Sequence, residues 1–139
     1  MEEVGLYRIV FLFRKAIIKA KGQFDYRDRM HRFPVGCCDD SCDLLGFYLW
    51  DKYRIPTSQR NGYYEAEMTN HAWLITDDQI IIDITGDQLY GAWKPVYVGP
   101  EVGNYKKLSR ITTQENFDIR KQSRLWNDYN IILKHLKKE

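Results

Sequence analysis

The spacing of apolar residues changes once along this chain, and that change limits the folds open to it. Up to about residue 53 apolar side chains recur every three or four positions, as on one face of a helix; from 70 to 85 they recur every second position, as on a strand. Helices first and strands afterwards point to an α+β domain, with N-terminal helices packed on a small antiparallel sheet. At 139 residues the chain can close one such core, so a single domain over 1–139 is expected.

Within the helical part, Leu6, Ile9, Val10, Phe13, Ile17 and Ala20 mark an amphipathic helix over residues 3–20, ended by Gly22. Pro34 and Gly36 break the backbone after a polar link. A second helix then starts near Cys38 or Asp39, carries Cys42, Leu45, Leu49 and Tyr53 on its stripe, and stops before Pro56. QRNGYY (59–64) reads as loop. NHAWLIT (70–76) and QIIIDIT (79–85) read as strands by alternation and β-branched content, joined by a hairpin connection at TDD. KPVYVG (94–99) is a third strand, and Leu125, Tyr129, Ile132, Leu133 and Leu136 mark a C-terminal helix.

Composition removes several function classes. Apolar residues make up 44% and charged residues 29%, an ordinary globular balance. A net charge of +2 without clustered Lys and Arg gives no surface for tracking phosphates, so no nucleic-acid partner is expected. The most apolar N-terminal run, IVFLF (9–13), is too short to span a bilayer, so no membrane partner is expected. The cysteine count is odd and the spacing too tight for a disulfide framework; a reducing, cytoplasmic location follows, unless the chain is one piece of a secreted protein.

Those cysteines, Cys37, Cys38 and Cys42, sit together where the second helix begins. A structural zinc site would need a second ligand pair elsewhere, which is missing, so no metal or other cofactor is expected. Cys42, in mid-helix on the apolar stripe, and Cys37 read as small buried hydrophobes. Cys38 is placed differently: a helix N-terminus is where a thiol ionises most readily, and a thiolate is a nucleophile. Asp39 and Asp40 beside it would oppose that if they faced the sulfur, so a cationic partner is required.

His71 is the candidate partner. If Ile75 pairs with Gln79 across Thr76, Asp77 and Asp78, position 71 falls opposite position 83, and the Asp83 carboxylate can hold one imidazole nitrogen while the other faces Cys38. Asp87 is the substitute if Asp83 points away. His31 has no spacing argument in its favour, and His135 reads as a solvated residue of the last helical turn.

GCCDDSCDLLGFYLWDKYRIP, then HAWLI, then DIT, resembles the papain-like superfamily of thiol enzymes, and within it the transglutaminase-like branch. The resemblance covers residues 33–90 and implies a papain-like core with Cys38 as nucleophile, His71 as general base and Asp83 as orienting carboxylate. It implies acyl transfer on an amide of a protein or peptide substrate, by a cysteine peptidase, isopeptidase, deamidase or transglutaminase-like enzyme; bacterial effector or toxin domains occur in this superfamily. A catalytically inactive papain-like interaction module is the alternative. Trp73 and Trp50 are candidate substrate-binding residues. The pattern's upstream glutamine, an oxyanion donor, has only Gln23 to fill it.

Overall fold

The computed structural model describes residues 2–89 and 93–136. Three helices pack against one face of a five-stranded antiparallel sheet of order β4-β3-β2-β1-β5, which makes the domain α+β.

Helix α1 (Glu3–Ala20) follows its sequence pattern, burying Leu6, Val10, Phe13, Ala16, Ile17 and Ala20. The chain then passes through two short 3-10 turns, a cis Phe33–Pro34 peptide and Gly36, whose φ of +68° suits a residue without a Cβ. Helix α2 (Cys38–Tyr53) is buried on more than one stripe, because α1, α3 and the sheet surround it: Ser41, Leu44 and Tyr48 are buried as well as Cys42, Leu45 and Leu49. It ends at Arg54 in the left-handed region, whose N–H caps the Leu49 and Trp50 carbonyls ahead of Pro56.

Strand β1 (Thr57–Tyr64) contains the QRNGYY segment, which is therefore strand and not loop. Its sequence hides it. Only Gln59 and Gly62 are buried along its length, so it shows neither alternation nor an apolar run. Strand β2 (Thr69–Thr76) is buried without a break from His71 to Ile75, which means both of its faces are covered. Strand β3 is shorter than QIIIDIT, spanning Ile81–Asp83, and β4 occupies Tyr97–Gly99 beside α1. Strand β5 (Ser109–Glu115) is an edge strand with no buried residue, and α3 (Ser123–Leu136) returns over α1 and α2.

The hairpin register differs from the expected one. Ile75 pairs with Ile81 and Leu74 with Ile82, so the connection is the five residues 76–80 and not three. Thr76 builds that longer turn. Its carbonyl accepts from the Gln79 N–H, its hydroxyl accepts from the Ile80 N–H, and Gln79 takes a φ of +66°. A slip of two residues preserves facing, whereas a slip of one would reverse it. His71 and Asp83 thus become diagonal neighbours on the same face.

Two apolar clusters sandwich the sheet. The larger joins the three helices to Ala72, Leu74, Ile82 and Ile84; the smaller, on the other face, consists of Trp73, Ile81, Leu89, Trp93, Tyr105 and Leu108. Among the described residues no helix is long and apolar enough to cross a membrane.

Candidate active site

The three thiols occupy different environments around the start of α2. Cys37 is the residue before α2; its sulfur is buried and accepts from the Ser41 hydroxyl at 3.7 Å, and burial pushes the thiol up to about 12. Cys42 is closed off inside the main core, and burial pushes it well above the usual thiol range. Cys38 is the first residue of α2 and remains partly exposed. There the unpaired N–H groups of the first turn present positive potential to its sulfur.

His71 is completely buried, and its ring has a partner on every side. Nε2 lies 2.6 Å from Asp83 Oδ2, and the Gln88 side-chain nitrogen lies 2.9 Å from Nδ1. Trp93 meets the ring edge-on at 5.5 Å between centroids, and Trp73 lies nearly parallel at 6.1 Å. Burial alone would lower the ring's proton affinity. The Asp83 charge, its hydrogen bond and the nearby Cys38 sulfur outweigh that and raise it to about 10. Cys38, His71 and Asp83 are thus brought together from α2, β2 and β3.

Asp83 is itself over-supplied with donors. Oδ2 also accepts from the Tyr105 hydroxyl at 2.6 Å, and Oδ1 accepts from the Thr85 N–H at 3.0 Å and the Thr85 hydroxyl at 3.4 Å. Burial pushes this carboxyl up, but His71 and these donors overcome it, and Asp83 is held below the usual carboxylate range. A carboxylate so fixed holds Nε2–H in place and leaves Nδ1 as the ring's exchangeable nitrogen.

The acidic residues next to Cys38 are already engaged. Gln59, from β1, donates to Asp39 at 3.0 Å; Arg124, from α3, donates to Asp40 at 3.0 and 3.3 Å. Among the described residues, no group of three or more His, Cys, Asp or Glu is arranged to hold a metal ion.

The remaining candidates lie elsewhere. Trp73 has no exposure and packs behind the imidazole, in the smaller cluster, where it offers no face to a cleft. Trp50 is half exposed, but it is twelve residues along α2 from Cys38, roughly 18 Å at the helical rise, under the Arg54 guanidinium. Gln23 is exposed and bonded to His135, 3.1 Å away, so neither is at the site and His135 has a partner. His31 Nδ1 lies 3.1 Å from the Phe24 carbonyl. Asp87 is not a substitute for Asp83: it pairs with Arg14 of α1 at 2.7 and 3.0 Å.

Three residues around His71 were not legible in the sequence. Gln88 follows the Asp83 strand by five positions, in the short turn Gly86–Gln88, with no periodicity to mark it. Trp93 arrives from the connection between β3 and β4 and Tyr105 from that between β4 and β5, and the Trp73 and Trp93 indole N–H groups have no partner among the described residues. Gly86 was a possible signal. A Cβ there would run into the Lys94 carbonyl, so the turn needs glycine to close over the site. No protein-family model, curated protein or solved structure matches this chain.

Proposed function

We propose that this chain is a thiol-dependent acyl-transfer enzyme of papain-like, transglutaminase-like type, with Cys38 as nucleophile, His71 as general base and Asp83 as orienting carboxylate. One observation carries the reading: a fully buried imidazole bonded at 2.6 Å to a buried carboxylate, with a partly exposed thiol at a helix start close enough to act on the ring. A titratable ring shifted by burial and a specific charge partner is the kind of group that functional sites collect.

In this reading the Cys38 proton passes to Nδ1 while Asp83 holds Nε2–H and balances the imidazolium. The sulfur attacks the carbonyl carbon of a protein or peptide amide, and the C–N bond breaks as the ring returns the proton to the leaving amine. Water or another amine then opens the thioester, its proton passing through the same nitrogen. In this reading the free backbone N–H groups at the start of α2 supply the donors to the developing oxyanion.

Iodoacetamide tests this without a known substrate. Cys38 should be alkylated near pH 7 far faster than Cys37 and Cys42, and His71→Ala should slow it by at least about 100-fold. Equal sluggishness of all three thiols, unaffected by His71→Ala, would support the alternative, a catalytically silent interaction module.

A further inference from the structure

We infer that the outer face of α1 is a docking groove for an acidic amphipathic helix of another protein; this stands apart from the chemistry proposed for Cys38. Helix α1 carries two apolar stripes. One faces the core, and the other, Val4, Tyr7, Phe11 and Ile18, is 82, 44, 45 and 47% exposed. Single exposed apolar residues are ordinary, but these recur at steps of three, four and seven with Arg14 in the gap, which is the spacing of a coiled-coil seam. From Val4 to Ile18 the seam is about 21 Å long at the helical rise. Tyr7 and Phe11 stack on one another, with ring centroids 6.2 Å apart and planes at 16°, so its central ridge is ordered before anything binds.

The seam is one wall of a groove of about 450 Å³, and Lys94, Pro95 and Val96, ahead of the edge strand β4, are the other. A trough of this kind accepts a helix laid alongside α1, whereas a flat bilayer surface would leave it unfilled. Charge selects among helices. Arg8 and Lys15 flank the seam on its open side, at the positions by which coiled coils choose partners, and Lys94 stands on the opposite wall. All three are exposed, and none forms an ion pair among the described residues. No Asp or Glu lines the groove; Glu2 and Glu3 lie beyond Val4, and Arg14 is already engaged by Asp87. A partner with carboxylates opposite Arg8, Lys15 and Lys94 supplies what α1 lacks. A second copy does not, because antiparallel pairing on this seam sets Arg8 of each chain beside Lys15 of the other.

The test uses a fluorescein-labelled peptide of three heptads, with Leu at the seam positions and Glu at the flanking ones, and its counterpart with Lys in place of Glu. Fluorescence anisotropy would measure both against the wild type, the double variant Arg8→Glu/Lys15→Glu, and Phe11→Gln. These residues are exposed, and circular dichroism would establish that the variants fold. The expected result is saturable binding of the Glu peptide to the wild type at about 100 µM or below, as suits a small interface. Phe11→Gln and the double variant should each weaken it about tenfold, and the Lys peptide should bind the double variant better than the wild type. Equal binding of the two peptides, no saturation of the Glu peptide, or indifference to Phe11→Gln would overturn the proposal. With the Glu peptide unbound, sedimentation of the protein with vesicles of equimolar phosphatidylcholine and phosphatidylglycerol would reassign the face to a lipid surface. A dimer that Phe11→Gln dissolves would reassign it to a contact between copies.

Discussion

Two groups of buried carboxylates approach the start of α2, and they are built on opposite principles. Asp83 is a single carboxylate with four donors, from His71, Tyr105 and twice from Thr85. Asp28, Asp40 and Asp128 are three carboxylates, each at most 5% exposed, gathered around the Arg124 guanidinium. Arg124 donates to Asp28 at 2.8 Å and to Asp40 at 3.0 Å but stands 4.0 Å from Asp128; Arg29 reaches only Asp40, at 3.4 Å. Burial pushes carboxyls up at both places. Where four donors converge on one carboxyl it is held low, as at Asp83; where three carboxyls crowd around one guanidinium that does not reach them all, one member keeps its proton, and burial with the nearby Asp28 pushes Asp128 up to about 8. A surplus of donors suits a carboxylate that must stay charged while a proton moves beside it. A shared guanidinium suits a clasp that fixes α3 and the 25–32 segment to α2.

Removing one partner at each place separates the two most sharply. Asp83→Asn keeps the shape and loses the charge, so Cys38 acylation by p-nitrophenyl acetate should fall about 10⁴-fold. Arg124→Met leaves Asp28 buried without its cation and Asp40 with only the more distant Arg29, and should cost about 3–5 kcal/mol in urea unfolding. Alkylation of Cys38 in the Arg124→Met protein that remains folded should stay within about threefold of wild type, since Arg124 donates to neither Cys38 nor His71. If Arg124→Met slowed Cys38 as much as Asp83→Asn, the two groups would be one network and the contrast would fail.

The pH dependence of stability divides in the same way. Asp128 titrates near 8 folded against 3.8 as a free carboxyl, so between those values the folded state holds the extra proton and stability declines as pH rises from about 4 to 8. His71 is raised from 6.5 to about 10, so its contribution is complete below 6.5 and is lost as pH rises through 10. Asp83, held low, contributes above 3.8 and loses that contribution as pH falls. Urea midpoints at pH 5, 8 and 10 should therefore fall in two overlapping steps. Asp128→Asn should shrink the first, leaving the part that belongs to Asp43, which burial raises to about 7, and His71→Ala should flatten the second. A first step undiminished in Asp128→Asn would place the proton elsewhere.

Legibility in the sequence followed the same division. Helices α1, α2 and α3 and strand β2 were readable because one face or both meet apolar neighbours, and burial imposes periodicity. Strands β1 and β5 were not, since they are held by ladder hydrogen bonds with few or no buried side chains, and backbone bonds leave no mark on residue choice. At the site, His71 and Asp83 could be paired from parity alone, which survived an error of two in the register. Gln88, Trp93 and Tyr105 come from turns and connections, where the path depends on contacts such as Gly86 against the Lys94 carbonyl that no local pattern encodes. The Asp28, Asp40, Asp128 and Arg124 clasp, drawn from three parts of the chain, was equally silent.

The smallest change tests whether counting donors is the right measure. Tyr105→Phe removes one of the four donors to Asp83 and leaves His71 and both Thr85 groups in place. Three donors still exceed one charge, so Asp83 should stay ionised, stability should fall by about 1 kcal/mol, and Cys38 alkylation at pH 7 should change less than about fivefold. The phenol is buried against Trp73, Trp93 and Tyr97, and a phenyl ring fills the same space, so packing is conserved. A loss approaching that of Asp83→Asn would mean that the 2.6 Å phenol bond alone keeps the carboxylate charged. Donor strength and not donor number would then distinguish the two carboxylate groups, and the clasp, whose Arg124 bonds are charge-assisted, would have to be reconsidered on the same terms.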